Sequence, residues 1–168
     1  MKGEIFIMQV VKVAGLREEI AEHYKKHCGS CTGACCNQTL EEGFLTFGWE
    51  FEGLAKAGRL PKADGPSCAR LVPFNKNNWC PLAGSDYCSL HLDDRPLDCL
   101  TYPVYPEVMV CDDAPPKLTG LVFRKGCGKL DAIASDTELL KLIHSFWEDQ
   151  MTRMSGDEIK EWLGEMAK

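Results

Sequence analysis

Cys28-Gly29-Ser30-Cys31-Thr32-Gly33-Ala34-Cys35-Cys36 is the stretch on which the reading of the fold turns. Two cysteines two residues apart can fold back and grip one ion, and small residues between them let backbone N–H groups approach sulfur. Such a pair is a half-site for zinc or for an iron–sulfur cluster. The doublet Cys35–Cys36 behaves differently, because neighbouring side chains point apart, by half a turn in a strand and by roughly 100° in a helix. Both thiolates are therefore not expected on one mononuclear ion. One joins Cys28 and Cys31, and the other faces a second metal, a polynuclear cluster or the core.

Outward from this stretch the chain carries ten cysteines, the others being Cys68, Cys80, Cys88, Cys99, Cys111 and Cys127. A reducing cytoplasm does not sustain disulfides, so this density points to metal or redox chemistry. A disulfide scaffold is the rival, and the absence of a signal-peptide pattern counts against it. The apolar run Ile5–Met8 is too short for one and is bounded by Glu4 and Gln9, with Lys12 beyond. The expected compartment is the cytoplasm. A net charge of −6 argues against nucleic-acid partners, which are held by Lys and Arg on phosphate. No apolar run approaches the roughly 20 residues of a membrane span. With 168 residues the expectation is one domain, 1–168, large enough for a core of its own.

Residues 4–13 are rich in β-branched and apolar types and read as a strand. Leu16, Ile20 and Tyr24 recur at helical spacing, which predicts a helix over 16–27, stopped by Gly29 and Gly33. Phe44–Phe47 is a short apolar run, and 48–58 reads as a helix carrying Trp49, Phe51 and Leu54. Residues 59–118 hold all nine prolines and are expected to be irregular. So long an irregular stretch inside a compact domain needs something to hold it, and thiolate–metal bonds would do so. Leu118–Arg124 reads as a short strand. Ser135-x-x-Glu138 and Ser155-x-x-Glu158 read as capping boxes that open two C-terminal helices, with Leu139, Ile143, Phe146, Trp147, Ile159 and Trp162 directed to the core. The fold class expected is α+β: a small single domain with helices flanking an irregular cysteine-rich centre and few short strands.

The later cysteines come in an ordered pattern: Cys80-Pro81-Leu82, Cys88-Ser89-Leu90, Arg95-Pro96-x2-Cys99-x2-Tyr102-Pro103 and Gly126-Cys127-Gly128. Together with Cys28-x2-Cys31-x3-Cys35-Cys36, this pattern resembles the YkgJ-type cysteine cluster family, described as a zinc- or iron-chelating domain. Matching residues run from about 28 to 128. The resemblance implies metal binding by Cys28, Cys31, Cys35, Cys36, Cys80, Cys88, Cys99 and Cys127. Eight thiols suit two four-thiolate sites, or one cluster with additional buried cysteines. A similar cysteine motif in flagellin lysine N-methylases implies an iron–sulfur cluster there. The chain departs from the family pattern at His91, where an aromatic residue is usual, and at Leu100, where an arginine is common. Cys68 and Cys111 lie outside the set and are read as buried small hydrophobes.

Arg95, Lys125 and Lys129 are positioned to offset thiolate charge or to be plain surface charges. His27, beside Cys28, and His91 are read as polar neighbours ahead of ligands, and His23 and His144 as ordinary helix residues. There is no Walker A pattern, no G-x-G-x-x-G, no G-x-S-x-G and no H-E-x-x-H. The function expected is a metal-binding protein whose thiolates ligate an iron–sulfur cluster or zinc, with a structural, redox or electron-transfer role. A structural zinc module for protein interaction is the alternative, and a metal-dependent methyl-transfer enzyme ranks behind it.

Overall fold

The structure is a computed structural model that describes residues 2–28, 43–62, 65, 67–75, 80–83, 88, 90, 94–111 and 114–166. It opens with helix α1 (Lys2–Cys28), followed by strand β1 (Gly43–Phe47), helix α2 (Gly48–Lys56) and strand β2 (Ala69–Pro73). Helix α3 (Leu97–Thr101), strands β3 (Val104–Cys111) and β4 (Ala114–Phe123), and helices α4 (Leu130–Ala134), α5 (Thr137–Met151) and α6 (Gly156–Met166) complete it. Helices beside two small antiparallel sheets make an α+β fold, as the sequence predicts.

The strand expected over 4–13 is instead the first part of α1. β-branched residues favour a strand only where a neighbouring strand gives them a surface to pack on. Among the described residues none pairs with this segment. A helix already nucleated over 16–27 then extends at a gain of one hydrogen bond per residue. Ile20 is fully buried on the inner side of α1, and Tyr24 reaches α3, where its hydroxyl donates to the Thr101 carbonyl at 2.7 Å.

The stretch 59–118 holds more regular structure than its prolines suggest, namely β2, α3, β3 and the start of β4. β3 and β4 form a two-stranded ribbon in which Tyr105 pairs with Val122 and Pro106 with Leu121. Arg124 N–H donates to the Pro103 carbonyl at 2.8 Å, which sets the phase of the ladder. By alternation Pro106 falls at a pair without ladder hydrogen bonds, so its missing N–H lies on the outer edge and costs no ladder bond.

At the C-terminus the second capping box forms as read. Ser155 Oγ accepts from Glu158 N–H at 3.2 Å and Glu158 Oε2 accepts from Ser155 N–H at 2.8 Å. The first is displaced by one residue. Asp136, not Ser135, caps α5, its carboxylate accepting from Leu139 N–H at 3.0 Å, while Ser135 ends the short helix α4 that the sequence reading lacks.

The β1–β2 sheet stands between two hydrophobic cores. Leu45, Phe47 and Ala69 join the larger one, with Ile20, Tyr105 and the inner faces of α5 and α6. Trp162 lies between Phe47 and Trp147, its ring centroid 5.4 Å from each. Phe44 and Val72 belong to the smaller core, with Leu54, Leu60, Leu82, Leu90 and Cys80.

Candidate metal centre

The Cys80 segment is a tight turn. Ala83 N–H donates to the Cys80 carbonyl at 3.0 Å, with Pro81 at the second position, where its fixed φ suits a turn. The same turn aims Leu82 N–H at Cys80 Sγ, at 3.4 Å. Ala83 then bridges to Cys88 in antiparallel fashion, which folds the two cysteines onto the smaller core.

Cys127 lies in a second turn of the same kind. Leu130 N–H donates to the Cys127 carbonyl at 3.1 Å, and Lys129 N–H is directed at Cys127 Sγ at 3.4 Å. Gly126, just before it, has φ of 112°, a conformation that a side chain would oppose. Two cysteines 47 positions apart (127 minus 80) thus share one local device, an amide two residues on that donates to sulfur. Such N–H···S contacts favour the thiolate over the thiol and tune thiolate-bound metals.

Cys99 is carried by α3, whose ends are set by the surrounding motif. Pro96 caps the helix start without a side-chain bond, and the cis Tyr102–Pro103 peptide leads out of it into β3. Cys99 remains accessible to solvent, yet its thiol is held well above its usual range. The loss of hydration among crowded protein atoms is the main cause, followed by the negative charge of Asp98, Cys80, Cys88 and Glu50. Cys80 and Cys88 are thus near enough for their charge to be felt at Cys99, without the three standing close enough to grip one ion.

Two buried carboxylates, which the sequence reading does not single out, fix α3 in place. Asp98 Oδ2 accepts from Leu45 N–H of β1 at 2.6 Å. Glu50 accepts from Phe47 N–H at 2.9 Å and from Leu97 N–H at 2.7 Å, joining the start of α2 to the start of α3. Burial raises both carboxyls, Glu50 to about 7, against the lowering effect of these amide donors. The signal for Glu50 was present: an acidic residue at the third helical position, able to reach back to the helix start.

The remaining expected residues are placed less tightly. Cys28 closes α1, and Cys127 packs against the larger core. Cys31, Cys35, Cys36 and His91 lie outside the described residues. Cys68 and Cys111 are not buried as expected. Cys111 is exposed at the end of β3, and Cys68 is partly exposed, with its thiol raised mainly by a hydrogen bond to Glu161. His27 turns to Asp136, Nε2 to Oδ2 at 2.8 Å, and His23 meets the same oxygen through Nδ1 at 3.1 Å. Arg95 presents its carbonyl to Arg17 at 3.1 Å. Among the described residues the cysteines are all free thiols, and no group of three or more His, Cys, Asp or Glu side chains stands close enough to hold a metal ion. No helix among them is long and apolar enough to cross a membrane.

These features describe a small α+β protein with Cys80 and Cys88 packed on a secondary core. Comparison with family models, with curated proteins and with solved structures finds no match.

Proposed function

We propose that this chain is a cytoplasmic metal-binding protein whose cysteine thiolates ligate an iron–sulfur cluster or zinc. The observation that carries the reading is the repeated turn at Cys80 and Cys127, each with a backbone amide 3.4 Å from sulfur. A core cysteine acting as a small hydrophobe has no need of an amide donor, whereas a ligating thiolate has lone pairs that accept one. The donor set fits the group: free thiols with N–H···S support suit zinc and iron–sulfur centres and are poor ligands for hard cations. Cys80, Cys88 and Cys99 would hold a metal beside the smaller core. Cys28 and Cys127, with the cysteines at 31, 35 and 36, supply the other thiols of the set. When bound, the metal would supply a cross-link between segments far apart in sequence and, as an iron–sulfur cluster, a site for one electron. Glu50 and Asp98 keep α3, and with it Cys99, in register with β1.

The test is elemental analysis of protein purified without oxygen, together with its absorption spectrum. Iron and sulfide, with a broad band near roughly 400 nm, or stoichiometric zinc without colour, is the expected result. Cys80→Ser and Cys99→Ser should each lower the metal content. Metal-free protein with unchanged stability after chelation would sink the reading.

A further inference from the structure

We propose that the outer edge of β2 is a docking site for an extended acidic peptide segment of a partner protein, which adds a third strand to the β1–β2 sheet. The proposal is independent of the metal.

The ladder dictates which backbone groups face outward. Gly48 N–H donates to the Cys68 carbonyl at 2.8 Å, and Phe44, Thr46 pair with Val72, Arg70 in the same register. Alternate pairs are hydrogen-bonded in an antiparallel ladder, so Leu45 and Phe47 on β1, and Ala69 and Leu71 on β2, turn N–H and C=O away from each other. Three of these outward amides have protein acceptors: Leu45 uses Asp98, Phe47 uses Glu50, and Ala69 uses Glu161 at 3.2 Å. The Ala69 carbonyl accepts from Ser67 Oγ. The edge of β1 is thus closed by buried side chains. On β2, Pro73 has no N–H to offer, and Leu71 has neither an N–H nor a C=O partner among the described residues.

That unmatched pair opens onto a concavity of about 570 Å³, walled by Phe51, Leu60, Pro61, Lys62 and Pro81. The volume lies within the range of ligand sites, roughly 300–1,000 Å³. An N–H and a C=O spaced along a strand edge are complementary to main chain in extended conformation, and an apolar wall accepts every second side chain of such a segment. Leu71 is itself 43% exposed, so the strand presents apolar surface beside its open backbone.

Charge selects the chemistry of the occupant. Glu161, on the groove, is committed to Ser67 Oγ and to the amides of Cys68 and Ala69. In the adjoining concavity of about 240 Å³, Glu52 faces Lys56 at 3.9 Å. Arg70 lies over the Phe51 ring and donates to the Gly65 carbonyl. Lys62 lines both concavities and has no ion-pair partner among the described residues. A carboxylate on the incoming strand complements it. A second copy of the chain fits less well: pairing β2 with itself about Leu71 would need the Ala69 amide, already held by Glu161, opposite Pro73, which has none.

The experiment is selection of random dodecapeptides displayed against the full chain as purified, followed by titration of the synthesised winners. The expected winners alternate apolar residues and carry at least one carboxylate. Leu71→Pro removes the outward donor and leaves the β1 ladder intact, since edge strands tolerate proline. It should weaken binding about tenfold, the value of roughly one hydrogen bond. Lys62→Glu should weaken it several-fold, more at low salt. Should Leu71→Pro fail to fold, amide hydrogen exchange on the unaltered chain decides, and the Leu71 amide must slow when peptide is saturating. No enriched peptide of this type, binding indifferent to both changes with Leu71 exchange unaltered, or protection of Leu71 by self-association would each overturn the proposal.

Discussion

On one face of the β1–β2 sheet, Leu45, Phe47 and Ala69 meet aromatic rings from two well-capped helices. On the other, Phe44 and Val72 meet short turns that carry Cys80 and Cys88. The larger core is assembled by area: Trp147, Trp162, Phe146 and Tyr105 are almost wholly removed from water. The smaller core has fewer apolar side chains among the described residues, and β1, which divides the two cores, is held along its outer edge by polar devices. These are the Glu50 and Asp98 carboxylates on the amides of Leu45, Phe47 and Leu97, while on the smaller core itself Cys80 Sγ faces the Leu82 N–H. The first kind of core stands on hydrophobic burial. The β1 edge between the two adds buried charge to it, and should respond to pH accordingly.

The largest effect is expected where burial dominates. Trp162→Ala would empty a site stacked on Phe47 and packed at a tilt against Tyr105 and Trp147, at a cost of about 3–5 kcal/mol. For a chain of this size that lowers the thermal midpoint by roughly 10 °C or more. Trp162→Phe should cost far less, because the buried indole N–H has no hydrogen-bond partner among the described residues and its removal leaves nothing newly unsatisfied there. Calorimetry on the two variants checks this, and equal losses would mean that the indole nitrogen has a partner after all.

How much of each core is legible in the sequence follows from the range of the forces that build it. Ser155 and Glu158 satisfy each other across one helical turn, so four residues suffice to read the cap. The spacing of Leu139, Ile143, Phe146 and Trp147 likewise announces the buried face of α5. At Ser135 the reading slips by one position because Asp136, the next residue, is an equally good cap and also meets His23 and His27 of α1. Strands are less legible. β3 pairs with β4 across a proline whose effect depends on which way its nitrogen faces, and residues 4–13 have strand composition but no described partner. In the candidate site the cysteine positions are legible one by one. Where Cys99 lies is not, since α3, which carries it, is placed by Asp98 and Glu50 through bonds that span 53 and 47 residues of the chain.

The buried carboxylate at the β1 edge should show its character in the dependence of stability on pH. The Glu50 carboxyl, with an ordinary value of 4.5, is raised to about 7, chiefly by burial. Between these limits the folded chain keeps a proton that the unfolded chain releases, so stability falls as pH rises from about 4.5 to 7 and then levels. The difference, 7 minus 4.5, corresponds to about 3 kcal/mol at 1.36 kcal/mol per unit. Glu50→Gln should abolish that part of the slope while losing one of two backbone acceptors. Urea midpoints at intervals between pH 5 and 8, with the difference between the two proteins as the readout, test it. Parallel curves would show that Glu50 carries no such burden.

The clasp between α1 and α5 gives the smallest effect and the opposite sign. Asp136 accepts from Leu139 N–H and from both histidines, and these bonds hold its carboxyl well below the usual carboxylate range, the helix amide contributing most. The folded chain therefore releases the proton more readily than the unfolded one. The stabilisation is complete above about pH 4 and is lost as pH falls through the lowered value. It adds no slope in the window where Glu50 titrates. Asp136→Ala should cost about 2 kcal/mol near neutrality, roughly half from the helix cap. Asp136→Asn, which can still accept from Leu139, should recover most of the cap. If both variants lose equally, the two histidine contacts rather than the cap fasten α1, and the junction between helices is electrostatic where the cap alone would have made it local.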